Sequence, residues 1–205
     1  MSGGGAASVP VSVVVPVKDE AGNVAPLARE IAAALKSVPH EILFVDDGST
    51  DGTAAALTAL KGEIAELRVL RHSRNLGQSR GIRTGVAAAR GDIIVTLDGD
   101  GQNDPADIPK LLAALAADPQ SVMVSGVRVR RQDSISRRWA SRLGNRFRSA
   151  LLGDGATDTG CGLKAFRRQT FLELPYFDHI HRFLIALSSA KAARSPLCRS
   201  TTGRA

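Results

Sequence analysis

Short apolar runs rich in β-branched residues alternate with stretches of helical period along the first 127 residues. This alternation restricts the possible folds more than any other feature of the chain. These runs, each mainly apolar, are residues 11–17, 41–45, 67–70, 93–97 and 122–127. Between the first two, Val24, Leu27, Ile31 and Leu35 recur at helical spacing, which predicts a helix over 22–38. Residues 51–64, 77–90 and 104–117 read as further helices, the last with Pro105 near its first turn. Strands that are mainly apolar and joined by helices belong in a parallel sheet covered on both faces. The expected fold class is therefore α/β, a mainly parallel sheet with helices on both sides. At 205 residues and 43% hydrophobic content, one domain with a full core is expected.

Three of the runs end in polar clusters: "PVKDE" at 16–20, "VDDGSTDGT" at 45–53 and "LDGDGQ" at 97–102. Each alone is ordinary turn chemistry, because Asp, Gly and Ser suit turns and helix starts. All three together point to a site, since ligands of open α/β sheets sit beyond the carboxyl ends of the strands. In an extended backbone, residues i and i+2 point the same way. Asp98 and Asp100 are then expected to aim two carboxylates at one spot, with Gly99 letting backbone and ligand approach closely. Adjacent carboxylates repel unless a cation neutralises them. Hard oxygen ligands suit Mg2+ or Mn2+, with coordination completed by water and phosphate.

"VVVPVKDE", "VDDGSTDGT", "NLGQSRGIRTGVAAARGDIIVTLDGDGQNDP" and "DTGCGLKAFRR", in this order, resemble the inverting GT-A glycosyltransferases of family 2. The branch they look like is that of the dolichol- and polyprenyl-phosphate glycosyltransferases, typified by dolichol-phosphate mannosyltransferase. The likeness covers residues 10–184. It implies a Rossmann-like GT-A fold and transfer of mannose or another hexose from a GDP- or UDP-linked sugar to a polyprenyl phosphate. It also implies roles by position. Pro16, Lys18, Glu20, Val45 and one or both of Asp46 and Asp47 would line the nucleoside pocket. Lys18 departs from the branch, which often has an aromatic residue there. Asp98, Asp100 and Gln102 would hold the metal and the donor diphosphate, beside Gly99. Arg128 would face the diphosphate or the acceptor phosphate. Asp158 would orient an Arg, Lys164 or a sugar hydroxyl. The expected reaction-site residues are thus Asp100, Arg128 and Asp158. Cys161 stands where the branch has Ser and reads as a packed thiol. A binding-only homologue and a family 2 transferase with a polysaccharide acceptor remain the alternatives.

The formal net charge is +7. Such a balance favours nucleic acid, an anionic membrane surface or a phosphorylated substrate. Acidic strand ends and scarce aromatics argue against nucleic acid. Between residues 128 and 148 the arginines are Arg128, Arg130, Arg131, Arg137, Arg138, Arg142, Arg146 and Arg148, and Asp133 is the only acid. Trp139, Leu143, Phe147 and Leu151 form an apolar stripe at a spacing of four beside Arg138, Arg142 and Arg146. This pattern is either a core-facing helix with a solvated rim or an interfacial helix seated on anionic lipid. No apolar run approaches the length that spans a bilayer. Residues 1–9 read as a frayed tail without signal-peptide pattern. Cys161 and Cys198 read as free thiols of a reducing compartment. The expected location is cytoplasmic, peripheral on the cytoplasmic face of a membrane.

From about residue 185 the likeness stops. The segment "IALSSAKAARSPLCRSTTGRA" shows no strand pattern and lacks the branch's Asn-His-Arg-Pro-Arg segment. A shifted reading frame permits "VQREGGTVALVPVNHRPR" from residue 187 onward, so residues 185–205 are expected to be a frameshifted tail, with impaired turnover. Changing Arg138, Arg142 and Arg146 together to Gln should weaken binding to anionic vesicles, since each basic residue near such a surface contributes about 1 kcal/mol. Vesicle cosedimentation at low and high salt checks this. Unchanged or salt-insensitive binding assigns the stripe to a core-facing helix.

Overall fold

The computed structural model describes residues 11–128, 161–175 and 197–200. In chain order the elements are β1 (Val11–Val17), α1 (Val24–Ala34), β2 (His40–Asp46), α2 (Thr53–Leu60), β3 (Leu67–Arg71), α3 (Gln78–Ala88), β4 (Ile93–Thr96), α4 (Ile108–Ala117), β5 (Met123–Arg128), β6 (Lys164–Arg167), α5 (Arg168–Leu172) and β7 (Leu197–Ser200). The sheet order is β3-β2-β1-β4-β6-β5-β7. β1 pairs in parallel with β2 and β4, and β3 in parallel with β2. β6 is antiparallel to both β4 and β5, and β7 runs parallel to β5.

The alternation of side chains across β1 explains why helices cover both faces. Val11, Val13, Val15 and Val17 pack into one core with Leu27 and Ile31 of α1, Leu57 of α2, and Ile108, Leu111 and Leu115 of α4. Val14 enters a second core with Ile82 and Val86 of α3 and with Phe166 and Phe171. The two phenylalanine rings stack at 5.3 Å between centroids. A buried Val, Leu, Ile or Phe side chain contributes about 1.5–3 kcal/mol each. A central strand buried on both faces therefore requires the nearly continuous apolar run at residues 11–17, in which Ser12 is the one polar side chain.

The helices are shorter than their apolar periods suggest. The residue 22–38 pattern contracts to α1, and the residue 104–117 pattern splits into a 3-10 turn over Pro105–Asp107 and α4. Asp104 starts that turn by accepting a hydrogen bond from the Ala106 N–H at 3.0 Å. The tail also differs from expectation. Leu197–Ser200 forms a strand paired with β5 over Ser125–Arg128. An exposed sheet edge is a template for any extended segment, and this one is taken by four residues whose own pattern is unremarkable. The rest of the tail, the arginine stretch after Arg128, and Asp158 lie outside the described residues.

At the amino ends of the strands, Glu41 joins four elements. It is 3% exposed. Its carboxylate accepts from the Ser12 hydroxyl at 2.6 Å, the Arg90 N–H at 2.6 Å and Arg68 Nη1 at 2.5 Å. The Gly91 N–H in turn donates to Ser12 Oγ at 2.8 Å, which pins the α3–β4 turn to β1. Burial alone would raise the Glu41 pKa. The hydrogen bonds from Ser12, Arg90 and Arg68 outweigh it and hold the carboxyl below its ordinary value of 4.5. A carboxyl lowered on folding stabilises the protein above its unfolded pKa, and that stability is lost as pH falls through the folded value. Glu41→Gln should therefore cost about 1–3 kcal/mol at pH 7, because donors lose a charged acceptor. The variant should also lose less stability than wild type between neutral pH and pH 4. Urea melts at both pH values check the two expectations.

Candidate active site

Because β1, β2 and β4 are parallel, their carboxyl ends share one edge of the sheet, and the three polar clusters meet there. The β1–α1 and β2–α2 loops are stitched together. The Asp19 N–H donates to Ser49 Oγ at 2.9 Å, and the Thr50 N–H to Asp19 Oδ1 at 2.8 Å. The Glu20 N–H donates to Thr53 Oγ1 at 2.8 Å, and the Ala21 N–H to Asp51 Oδ2 at 3.2 Å. Asp19 occupies the left-handed region at φ 55°. The hydrogen bond and ion pair from Lys18, and next the Thr50 N–H, pull its carboxyl down to about 2. The Thr53 hydroxyl and N–H lower Asp51 likewise. Much of "DGSTDGT" is thus scaffold for the "KDE" loop.

Asp46 and Asp47 are both buried. Asp46 accepts from the Ser49 N–H at 2.9 Å, and its other oxygen lies 3.2 Å from Arg71 Nε, in an ion pair without hydrogen-bond alignment. Asp47 accepts the N–H groups of Leu76 at 2.9 Å and Gly77 at 2.7 Å, and pairs with His72 Nδ1 at 2.7 Å. Burial would raise its pKa, but His72 and the two N–H groups win and lower it.

The "DGD" segment does not continue the strand. β4 ends at Thr96, and residues 99–101 turn, with Gly101 at φ 72°. Asp100 Oδ1 accepts the Gln102 N–H at 3.0 Å, a local bond that stabilises the turn. The extended-backbone geometry expected for the two acids is thereby replaced. Gly99 also has a different reason from the one expected. A Cβ there would lie 2.5 Å from Val17 Cγ1 and 3.2 Å from the Pro16 carbonyl oxygen, so the missing side chain admits the end of β1. Asp98 accepts from Gln78 Nε2 at 2.7 Å. On its other side lies Gly162, where a Cβ would fall 2.1 Å from Asp98 Oδ2. The Gly162 carbonyl accepts from Thr96 Oγ1 at 3.1 Å, which holds "CGLK" against β4. Cys161 is buried, with its Sγ 3.7 Å from Asn103 Oδ1.

These parts enclose a cavity of about 490 Å³. Its wall contains Pro16, Lys18, Glu20, Asp47, Asp98, Gly99 and Asp100, all expected at the site. It also contains Asn75, Gly77 and Gln78, to which the sequence reading assigned no role. Their only sequence signal is "NLGQ" at the start of α3. Among the described residues, the wall does not include Val45, Asp46 or Gln102. Val45 packs toward Gly85 of α3, Asp46 braces its own turn, and Gln102 contributes its N–H to Asp100. Arg128 closes β5, and its side chain lies outside the description.

The family model "Glycosyl transferase family 2" matches residues 12–174. The chain belongs to glycosyl transferase family 2. Dodecaprenyl-phosphate galacturonate synthase of Rhizobium johnstonii is 36% identical over 182 residues, covering 87% of this chain and 54% of that protein. Undecaprenyl-phosphate 4-deoxy-4-formamido-L-arabinose transferase of Klebsiella pneumoniae subsp. pneumoniae is 42% identical over 161 residues, 77% of this chain and 49% of that one. The chain spans about half the length of these curated relatives. A crystal structure of glucosyl-3-phosphoglycerate synthase from Mycobacterium tuberculosis, in complex with Mn2+ and UDP-glucose, matches with a TM-score of 0.75 at 22% identity, over 96% of this chain and 70% of that one. That likeness is one of fold, the GT-A arrangement.

The donor set of this family 2 chain suits a divalent ion. Asp98 and Asp100 bring hard oxygen ligands to one cavity. No three His, Cys, Asp or Glu side chains among the described residues are placed to hold one metal ion together. The protein would therefore supply two carboxylates, leaving positions for water and phosphate, as Mg2+ and Mn2+ accept. Gly162→Ala tests this wall. The added Cβ would lie 2.3 Å from Asp98 Cγ as well as 2.1 Å and 2.6 Å from its oxygens, so the whole carboxylate must swing aside, at a global cost of about 1–3 kcal/mol. The stabilisation that a nucleoside diphosphate gains from Mn2+ should fall sharply. Melting curves with and without both ligands measure the two effects separately.

Proposed function

We propose that this chain carries the donor site of a metal-dependent, inverting glycosyltransferase that moves a sugar from a nucleoside diphosphate to a polyprenyl phosphate. The observation that carries the proposal is the convergence of Glu20, Asp47, Asp98 and Asp100, from three strand ends, on one cavity that also holds Lys18. The names of the relatives support a polyprenyl-phosphate acceptor. They carry galacturonate and a formamido-arabinose, so the mannosyl reading of the branch draws no support from them. The Mn2+ and UDP-glucose of the mycobacterial neighbour support a divalent ion and a nucleotide sugar.

Asp98 and Asp100 would hold Mg2+ or Mn2+, which when bound supplies positive charge to the leaving diphosphate. Pro16, Glu20 and the Asp47-braced turn would seat the nucleoside. Arg128 and Asp158 keep the roles implied by the family likeness, Arg128 toward phosphate and Asp158 toward an Arg, Lys164 or the sugar. A polyprenyl monophosphate, with a second pKa of about 6, is already ionised near neutral pH. It needs no base to attack the anomeric carbon. The protein's tasks are to align that phosphate, screen its repulsion from the donor, and keep the cavity ordered. Peripheral attachment to the cytoplasmic face of a membrane belongs to the same proposal. It rests on the arginine stretch and the lipid acceptor. No helix among the described residues is long and apolar enough to cross a membrane.

UDP and GDP, each with and without Mn2+, separate the possibilities in a thermal-shift assay. At a hundred times its dissociation constant a ligand adds about 2.7 kcal/mol of stability. We expect one nucleotide to reach that range only with Mn2+, and Asp98→Asn and Asp100→Asn to remove most of the metal-dependent part. Equal stabilisation of wild type and both variants refutes the metal assignment. Transfer of label from the preferred nucleotide sugar to a soluble acceptor, but not to a polyprenyl phosphate, refutes the acceptor.

A further inference from the structure

A chain of hydrogen bonds runs from the surface of α3 to the Asp98 carboxylate. His72 follows β3, and its N–H donates to the Asp46 carbonyl at 2.9 Å, extending the sheet by one bond. Its ring is 10% exposed. Nδ1 lies 2.7 Å from Asp47 Oδ1, and Nε2 lies 3.0 Å from Thr84 Oγ1 on α3. An ionised carboxylate only accepts, so Nδ1 carries the proton toward Asp47. In the neutral ring Nε2 then accepts from the Thr84 hydroxyl. Asp47, oriented in this way, holds the Leu76 and Gly77 N–H groups on its two oxygens. The Asn75 side chain closes the same turn by accepting the Gly77 N–H at 3.0 Å. The next residue, Gln78, donates to Asp98 Oδ1.

We propose that His72 is a positioning residue for the donor site: through Asp47 it sets residues 75–78, and through Gln78 the orientation of the Asp98 carboxylate. The inference rests on the reading of Asp98 as a metal ligand. His72 is outside the cavity wall and touches no candidate ligand. Its two ring nitrogens are each matched to one partner on a different element, β2's turn and α3. A side chain filling a gap would need neither match. Partners that orient a metal ligand from behind typically change metal affinity 10–100-fold when removed.

Mn2+ binding, followed by loss of the free-ion paramagnetic resonance signal in the presence of UDP or GDP, tests the relay without requiring turnover. His72→Ala and Gln78→Ala should each weaken Mn2+ binding about tenfold. His72→Asn, whose amide can donate to Asp47 in place of Nδ1, should recover most of the loss. Asp98→Asn should abolish the binding. If Asp98→Asn abolishes binding while His72→Ala stays within twofold of wild type, or His72→Asn binds no better than His72→Ala, the relay is overturned and the metal site stands. If Asp98→Asn binds like wild type, the metal site and the relay both fall. Gln78 is exposed, so Gln78→Ala leaves the fold intact and examines the last link alone. Unchanged Mn2+ affinity in that variant overturns the proposal even where His72→Ala fails to fold.

Discussion

The parallel pairing of β1 with β2 on one side and β4 on the other is the constraint on which the site depends. Its register is uneven. β1 and β2 run level to their ends, with Val17 opposite Asp46, whereas the last residue of β4, Thr96, stands opposite Val14. β4 thus stops three residues before β1 does. Leu97 makes one more backbone bond, to the Val14 carbonyl at 3.3 Å, and the chain then climbs beside Pro16 and Val17 before it turns. The step leaves a recess at the middle of the sheet edge. Gly99 fits beside Val17 only because it lacks a side chain. The loops around the recess are tied in series: the β1–α1 loop to the β2–α2 loop, Asp47 to residues 76–77, and Gln78 to Asp98.

Those ties explain how so many carboxylates coexist on one edge. Asp19, Asp46, Asp47 and Asp51 each accept at least one backbone N–H from a turn. Turns present unpaired N–H groups, and a carboxylate is their strongest acceptor, so acids and turns collect at the same place. Asp98 is held differently. Gln78 approaches it from the start of α3 with a side-chain amide, and an amide on a rotatable side chain yields to a ligand more readily than a backbone N–H does. Asp47 and Asp100 do both, accepting turn N–H groups while lining the cavity, whereas Asp19, Asp46 and Asp51 brace turns without lining it. At the opposite end of the strands Glu41 uses its carboxylate for fastening, to Ser12, Arg90 and Arg68.

Strands β1 to β5 were legible because burial on both faces demands apolar, β-branched runs, and nothing else in the chain looks like them. The parallel order and the common edge followed from the helices between them. Helix ends were less legible, since an apolar period continues past the last turn whenever the next loop is also buried; Leu35 is fully buried just after α1. β7 was illegible. Four residues at a sheet edge need only a free backbone to pair with, and that leaves no trace in composition. At the site, the acids and Lys18 were legible as clusters. Asn75, Gly77 and Gln78 were not, because they come from the amino end of a helix that follows an edge strand, and only the folded sheet brings them beside Asp98. His72 was hidden for the same reason: a lone histidine after a strand carries no signal until its partners on β2's turn and on α3 are seen.

The "DGD" segment separates where the two acids are placed from how their side chains are directed. The expectation that Asp98 and Asp100 meet a common ligand was argued from an extended backbone, where alternate residues share a face. The backbone there turns instead, and Gly101 at φ 72° together with the Asp100–Gln102 bond makes that turn specific. Both carboxylates reach the same cavity all the same. Parallel strands must discharge their loops at one edge, whatever dihedral angles the loops adopt, whereas side-chain direction changes with every departure from the strand. Local period can therefore assign residues to an edge of this sheet, but the direction of each carboxylate depends on contacts made from elsewhere: Gly162 leaves room on one side of Asp98, and Gln78 draws it to the other.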